Sequence, residues 1–250
     1  MNSTEKVLWV LKRLGEHPFE MGLTDLAREM GYEKSGIYKI LNMMVKDGFI
    51  VQNSNTKKYF LGPALYRLGI VYSEQKGIWE LAKPVMKEIV EITQETVTLG
   101  IREGMDAILA YKLESTHEIR LHGKVGKKYP INAGSMGKVL AAYHDPKLIQ
   151  EYLKHHTLEK KTDNTIIDKE KLLEEYALIR QQGYATSNEE NTVGGFGIAA
   201  PIYDKEGSVW TCLCLAGPKS RFTDENIKSW VSLVIDGARE ISYRQGYKYE

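Results

Sequence analysis

The 250 residues carry 34 lysines and arginines against 33 aspartates and glutamates, a formal net charge of +1. Such a balance excludes a whole-molecule field aimed at nucleic acid or membrane, so any signal of that kind must be local. With 42% hydrophobic and 10% aromatic residues, the chain can build a core and is long enough for one large domain or two ordinary ones.

From Glu5 to Gly15, Val7, Leu8, Val10, Leu11 and Leu14 form a helical stripe. Thr24 is placed to cap a second helix with Leu26, Ala27 and Met30 on its apolar side, and Gly31 is its left-handed stop. Ser35 is placed to cap a third, in which Ile37, Ile40, Leu41, Met44 and Val45 repeat at three and four before Gly48. Two strand-like runs follow, Phe49 to Val51 and Tyr59 to Leu61, around the polar turn Asn53, Ser54, Asn55 and Thr56. Three helices and a hairpin predict a winged helix-turn-helix domain over residues 1–63. A linking helix is expected over 64–76, its pattern running from Ala64 to Gln75, and a further helix from Ile78 to Thr93. The rest, 77–250, reads as an α+β sensor-like domain. Strand signals TVTLGIRE, DAILAYKLE and IRLHG give way to helices, return in GFGIAAPIYD and SVWTCLCLAG, and end in a helix from Thr223 to about Tyr243. There is no internal repeat, and the one polar biased run, HHTLEKKTDNT, reads as a loop.

In a helix-turn-helix, a small residue is needed where the two helices cross, a flexible one at the turn and an apolar one inside the second helix. Ala27, Gly31 and Ile37 occupy those places. With Ile37, Ile40, Leu41 and Met44 inward, the third helix presents Lys34, Ser35, Gly36, Tyr38, Lys39 and Asn42, a polar face without an acid. Lys39 and Asn42 suit base edges, and Lys34, Ser35 and Tyr38 suit bases or phosphate. Lys57 and Lys58 on the wing add phosphate contacts, and Thr24 completes the DNA-contacting set. A solvated helical hairpin would show the same periodicity, but the wing and the one-signed face favour DNA.

Further on, Ser135 is placed to cap a helix starting near Met136, flanked by Gly134 and Gly137. Uncovered amides and the helix dipole favour an anion there, such as a small carboxylate; the competing reading is a capped helix whose glycines make room for packing. The run lacks the Ser or Thr after Lys138 that a nucleotide phosphate loop requires. In NTVGGFGIAAPIY, Gly194, Gly195 and Gly197 permit close approach to a ligand or a plain turn into a strand. Alternation puts Trp210, Cys212, Cys214 and Ala216 on one strand face and Val209, Thr211, Leu213 and Leu215 on the other. One of the two faces is expected to line a pocket.

An enzyme would need a nucleophile with its base, paired carboxylates or metal ligands. None of the six histidines falls in a His-Glu-x-x-His arrangement, and Glu189 and Glu190 would point opposite ways from an extended segment. A zinc ion held by His122 with another ligand is a minor alternative. Cys212 and Cys214, the only cysteines, exclude a disulfide framework and an all-cysteine zinc site; their setting reads as core, against the electropositive exposure a reactive thiol needs. No catalytic residue, cofactor or metal site is expected. No uncharged apolar run approaches the ~18 residues of a membrane span, and no export signal is read, so a cytoplasmic location is expected. The alternatives are a metabolite-binding module that contacts another protein, or an enzyme that does not read DNA. Against a protein partner, the third helix offers only Tyr38 as an aromatic anchor.

The stretch VLWVLKRLGEHPFEMGLTDLAREMGYEKSGIYKILNMMVKDGFI, together with GKVLAAY, IRQQGYA, GIAAPIYD and LAGP in order, resembles the IclR family of bacterial transcriptional regulators over nearly the whole chain. The resemblance implies a homodimer, often a dimer of dimers, on pseudo-palindromic double-stranded operator DNA. It also implies a GAF-like effector-binding domain for a small metabolite, often a carboxylic acid, and a regulator that represses. Carried across by motif, it places Leu121, Tyr129, Ser135, Met136, Ser187, Gly197, Cys214 and Ala216 around the effector, with Gly195 beside them. Where members that bind two- and three-carbon oxo acids have an aspartate, a cysteine and serines, this chain has Ser187, Gly197, and Cys214 with Ala216. A larger or more apolar acid than glyoxylate, aromatic or sugar-derived, is therefore expected.

Overall fold

Asn2 opens the first helix by a reciprocal capping box: its side chain accepts from the Glu5 N–H while the Glu5 carboxylate accepts from the Asn2 N–H. This starts α1 (Ser3–Leu14) two residues before Glu5, where the periodicity begins the helix. The computed structural model describes residues 1–249, with Lys76 described by its backbone alone. By its contacts the chain divides into two compact units, one ending at Gly77 and the other beginning at Ile78.

In the first unit, α2 (Leu23–Met30) ends in left-handed Gly31 and α3 (Lys34–Lys46) follows after a short turn. Both helices start earlier than a hydroxyl cap would set them. Gly22 and Glu33 occupy the cap positions without side-chain cap bonds, so Thr24 and Ser35 sit inside the first turns. Strands β1 (Ile50–Gln52) and β2 (Tyr59–Leu61) pair antiparallel, with Ile50 opposite Leu61. Their turn is held by the Asn53 side chain, which accepts from the Asn55 and Thr56 N–H groups. Val10, Leu14, Leu26, Ile37, Leu41, Ile50 and Tyr59 bury against one another as the unit's core; each large apolar side chain removed from water contributes about 1.5–3 kcal/mol. Val45, predicted in the inward stripe, is exposed. α4 (Pro63–Lys76) begins with proline at a first-turn position, where no amide is needed.

In the second unit, α5 (Ile78–Thr93) leads into β3 (Thr96–Glu103) and β4 (Asp106–Leu113). Then come β5 (Lys128–Tyr129), α6 (Ser135–Ala142), α7 (Pro146–His155), α8 (Lys169–Gln182) and β6 (Ala185–Asn188). β7 (Gly195–Tyr203), β8 (Val209–Pro218) and α9 (Asp224–Arg244) complete it, α9 capped by the Thr223 hydroxyl. The six strands form one antiparallel sheet in the order β5-β4-β3-β8-β7-β6. Period-two alternation divides the core into two layers. Leu213 and Leu215 of β8 pack with Ile89 of α5 and Val234 of α9, while Cys212 and Cys214 pack with Val139 of α6 and Ile179 of α8.

The strand expected at IRLHG is absent: residues 119–123 are irregular. The edge of β4 is taken instead by the segment around β5, where the Gly126 and Leu109 backbones pair and Ile108 aligns with Lys128. The freed segment is tied elsewhere, through the Ile119 carbonyl to Arg221 and the Gly123 carbonyl to Lys112.

Candidate DNA-reading surface and effector cavity

On α3, Ile37, Leu41 and Met44 are buried and Ile40 is half-buried, which turns Lys34, Ser35, Gly36, Tyr38, Lys39 and Asn42 to solvent. Lys34, Lys39 and Lys46 line the helix, and no acid stands in its first turn. Among the described residues, no ion pair claims Lys34 or Lys39, so their charge is available to a phosphate or a base edge. Lys57 is exposed, but Lys58 is engaged with the Glu20 carboxylate at 2.8 Å, which raises its pKa. An exposed pair of this kind is worth little, so Lys58 keeps its charge for a phosphate. Thr24 is exposed at the start of α2.

The second unit holds a half-open cavity of about 130 Å³ beside its sheet. Strand register builds one wall. Ser187 of β6 aligns with Gly197 of β7, Gly197 with Ala216 of β8, and Ala216 with Thr96 of β3, so four strands contribute one row of side chains to the cavity. The next row brings in Cys214 opposite Thr98. Across from the sheet stands the start of α6, with Ser135 and Met136. Its approach depends on Gly197, because a Cβ there would lie 2.8 Å from the Ser135 Oγ. Leu121, Tyr129 and Gly195 complete the set, so all nine residues expected around an effector line this one cavity. They come from six separate stretches of chain.

Ser135 does not cap α6: Gly134 is the cap residue and Ser135 is the first helical position, its hydroxyl 3.4 Å from the Cys214 sulfur. The first-turn amides of α6 have no intrahelical acceptor, and Gly134, Ser135 and Met136 at that helix start line the cavity. Among the described residues no carboxylate lines the cavity, whereas Lys127 and His122 do. Burial raises the Tyr129 phenol to about 12, keeping it a neutral hydrogen-bond donor. His122, read as surface or a zinc ligand, is a lining residue; among the described residues no cluster of three His, Cys, Asp or Glu side chains could hold a metal.

Sequence reasoning missed Thr96, Thr98, Leu109, Asn191, Thr192 and Phe196 as lining residues. It also missed the support behind α6. The Lys138 ammonium, 2% exposed, bonds Glu190 and Glu175, each at 2.7 Å, and the other Glu190 oxygen accepts from the Gly134 N–H at 3.2 Å. Burial outweighs the attraction of Lys138 and holds the Glu190 carboxyl above the usual range. Glu189 points away, to Lys219.

Among the described residues no helix is long and apolar enough to cross a membrane. A family model for the IclR helix-turn-helix domain matches residues 3–54, and one for the carboxy-terminal domain of bacterial IclR transcriptional regulators matches 71–243. The HTH-type transcriptional regulator KdgR of Dickeya chrysanthemi is 32% identical over 247 residues, 99% of this chain and 81% of that protein. The HTH-type transcriptional repressor AllR of Escherichia coli K12 is 28% identical over 98% of this chain and 90% of its own. A crystal structure of an IclR homologue from Microbacterium hydrocarbonoxydans complexed with 4-hydroxybenzoate shares the fold, with a TM-score of 0.80 at 21% identity over 98% of this chain and 99% of that one. The chain belongs to the IclR family of bacterial transcriptional regulators, with a DNA-binding helix-turn-helix unit followed by an effector-binding domain.

Proposed function

We propose that the chain is a cytoplasmic repressor that holds its operator as a dimer or dimer of dimers and releases it on binding a small carboxylic acid. The observation that carries the choice of acid is the cavity lining: the start of helix α6 with Lys127 and His122 and, among the described residues, no carboxylate. Leu109, Leu121, Met136 and Phe196 add an apolar sector, and Ser187, Thr96 and the Tyr129 phenol supply hydroxyls. That combination suits an acid with an apolar or ring body carrying an oxygen. The 4-hydroxybenzoate complex of the Microbacterium homologue and the repressor name of AllR lend support.

On DNA, paired α3 helices would enter successive major grooves about 34 Å apart, with the helix over 64–76 relaying the state of the sensing domain to that spacing. The acid must bind one spacing better than the other. A tenfold preference shifts the balance by about 1.4 kcal/mol, and equal affinity shifts nothing.

Lys39→Ala is expected to weaken operator binding by about 1–3 kcal/mol without changing the thermal midpoint; unchanged affinity in a competition titration removes Lys39 from the reading face. Lys57→Ala should instead lower affinity evenly across sequences and reduce the slope of log affinity against log salt by about 0.9. Ser135→Trp places a large side chain at a buried position of the cavity wall, so the operator should still bind and no longer respond to acid. A normal response in that variant, measured by anisotropy against a panel of aromatic and sugar acids, would put the effector elsewhere.

A further inference from the structure

The run LAGPKSRFT leaves β8 and makes a single 3-10 turn, Lys219–Arg221, before α9. Neither Lys219 nor Arg221 lines the cavity, yet each holds one of its two irregular walls. Arg221 donates to the Ile119 carbonyl at 3.0 Å, which pins the segment carrying Leu121, His122 and Gly123. Its other contacts go to Glu95, whose side chain is fully buried. Lys219 donates its backbone N–H to the Gly194 carbonyl at 2.8 Å and its ammonium to Glu189 at 2.6 Å. Glu189 in turn accepts the Gly194 N–H at 2.7 Å, closing the loop that carries Asn191 and Thr192. The walls meet where Leu121 stands against Gly195, 3.2 Å from the place a Cβ would occupy. Below, Phe222 stacks on Phe196 and meets Trp230 edge-on, so the turn is anchored in the core.

We propose that Lys219 and Arg221 are positioning residues that set access to the cavity by pinning both of its walls to one turn; this rests on the reading of the cavity as the effector site. The two arms are unequal. Arg221 is committed to a buried carboxylate, whereas the Lys219–Glu189 pair is partly exposed, with Lys219 at 46% and Glu189 at 23%. The wall at 191–194 is therefore the one that opens to admit a ligand, and Lys219 is its catch.

Cys214 lines the cavity and Cys212, two residues away on the same strand, is packed in the core away from it. These are the only cysteines, so iodoacetamide labelling followed by mass spectrometry reports cavity access without a known ligand. Lys219→Met is expected to speed Cys214 labelling about two- to fivefold, the range an exposed ion pair supports. Cys212 labelling and operator affinity should stay unchanged, and Lys219→Arg should restore the slow rate. Arg221→Lys, which keeps a charge for Glu95 but cannot fork to Ile119, should also speed Cys214. An unchanged Cys214 rate in Lys219→Met overturns the proposal, as does equal acceleration at both cysteines, which marks general loosening. Protection of Cys214 by carboxylic acids tests the effector reading separately: acceleration in Lys219→Met without protection by any acid keeps the catch and discards the acid.

Discussion

Lys138→Met is expected to cost the sensing domain about 3–5 kcal/mol, on the order of 10 °C in its thermal midpoint. The Lys138 side chain is 2% exposed and its ammonium is the shared partner of Glu190 and Glu175. Removing it leaves Glu190 buried with only the Gly134 N–H against it. The double variant Lys138→Met with Glu190→Gln should recover part of the loss, because replacing both members of a buried pair costs less than orphaning one. The pH dependence has a definite sign. Glu190 already lies above the ordinary carboxylate range in the folded protein, so the folded state takes up its proton more readily than the unfolded one. Without Lys138 that difference grows, and the variant should lose stability as pH rises through the folded-state value and regain it on the acid side. Denaturant melts at several pH values check this; a loss under 1 kcal/mol, or a gap from wild type that widens toward acid, would contradict it.

Gly137→Ala should be nearly as damaging, against the usual gain from replacing a helical glycine by alanine. The added Cβ would lie 2.0 Å from the Pro130 carbonyl oxygen and 3.0 Å from its carbon, both backbone atoms that cannot rotate aside. Helix α6 must then shift and take Ser135 and Met136 with it. We expect a loss of about 3 kcal/mol and a weakened acid response. Gly36→Ala is the internal control: nothing lies within 4 Å of its Cβ position, so it should gain about 0.4–1 kcal/mol. Equal melting shifts for the two variants would show that the clash is relieved cheaply.

Strong periodicity made α5 and β3 legible to the residue, and the polar turn around Asn53 marked the wing. Helix starts were misplaced by a residue or two because hydroxyl residues at 24, 35 and 135 imitate caps, while Gly22, Glu33 and Gly134 hold those positions. Ile119 and Leu121 alternate like a strand, yet that alternation belongs to a cavity wall whose backbone bonds go to Arg221 and Lys112. The start of α6, the glycine run and the strand face with Cys214 and Ala216 were legible as ligand-site candidates, but Leu121, Tyr129 and Ser187 came from resemblance, since no local period links Ser187 to Thr96; strand register does. The Lys138–Glu190 pair spans 52 positions, and Lys138 reads from sequence as an ordinary surface charge.

The central claim is that one chain reads DNA and answers to an acid. Fluorescence anisotropy of the purified protein on DNA from upstream of its own gene, competed with unrelated DNA and titrated with carboxylic acids, tests it most directly. The expected result is binding that unrelated DNA fails to displace and that at least one acid reverses in wild type but not in Ser135→Trp. Weak binding equal on both DNAs, with and without a metabolite mixture, would contradict it.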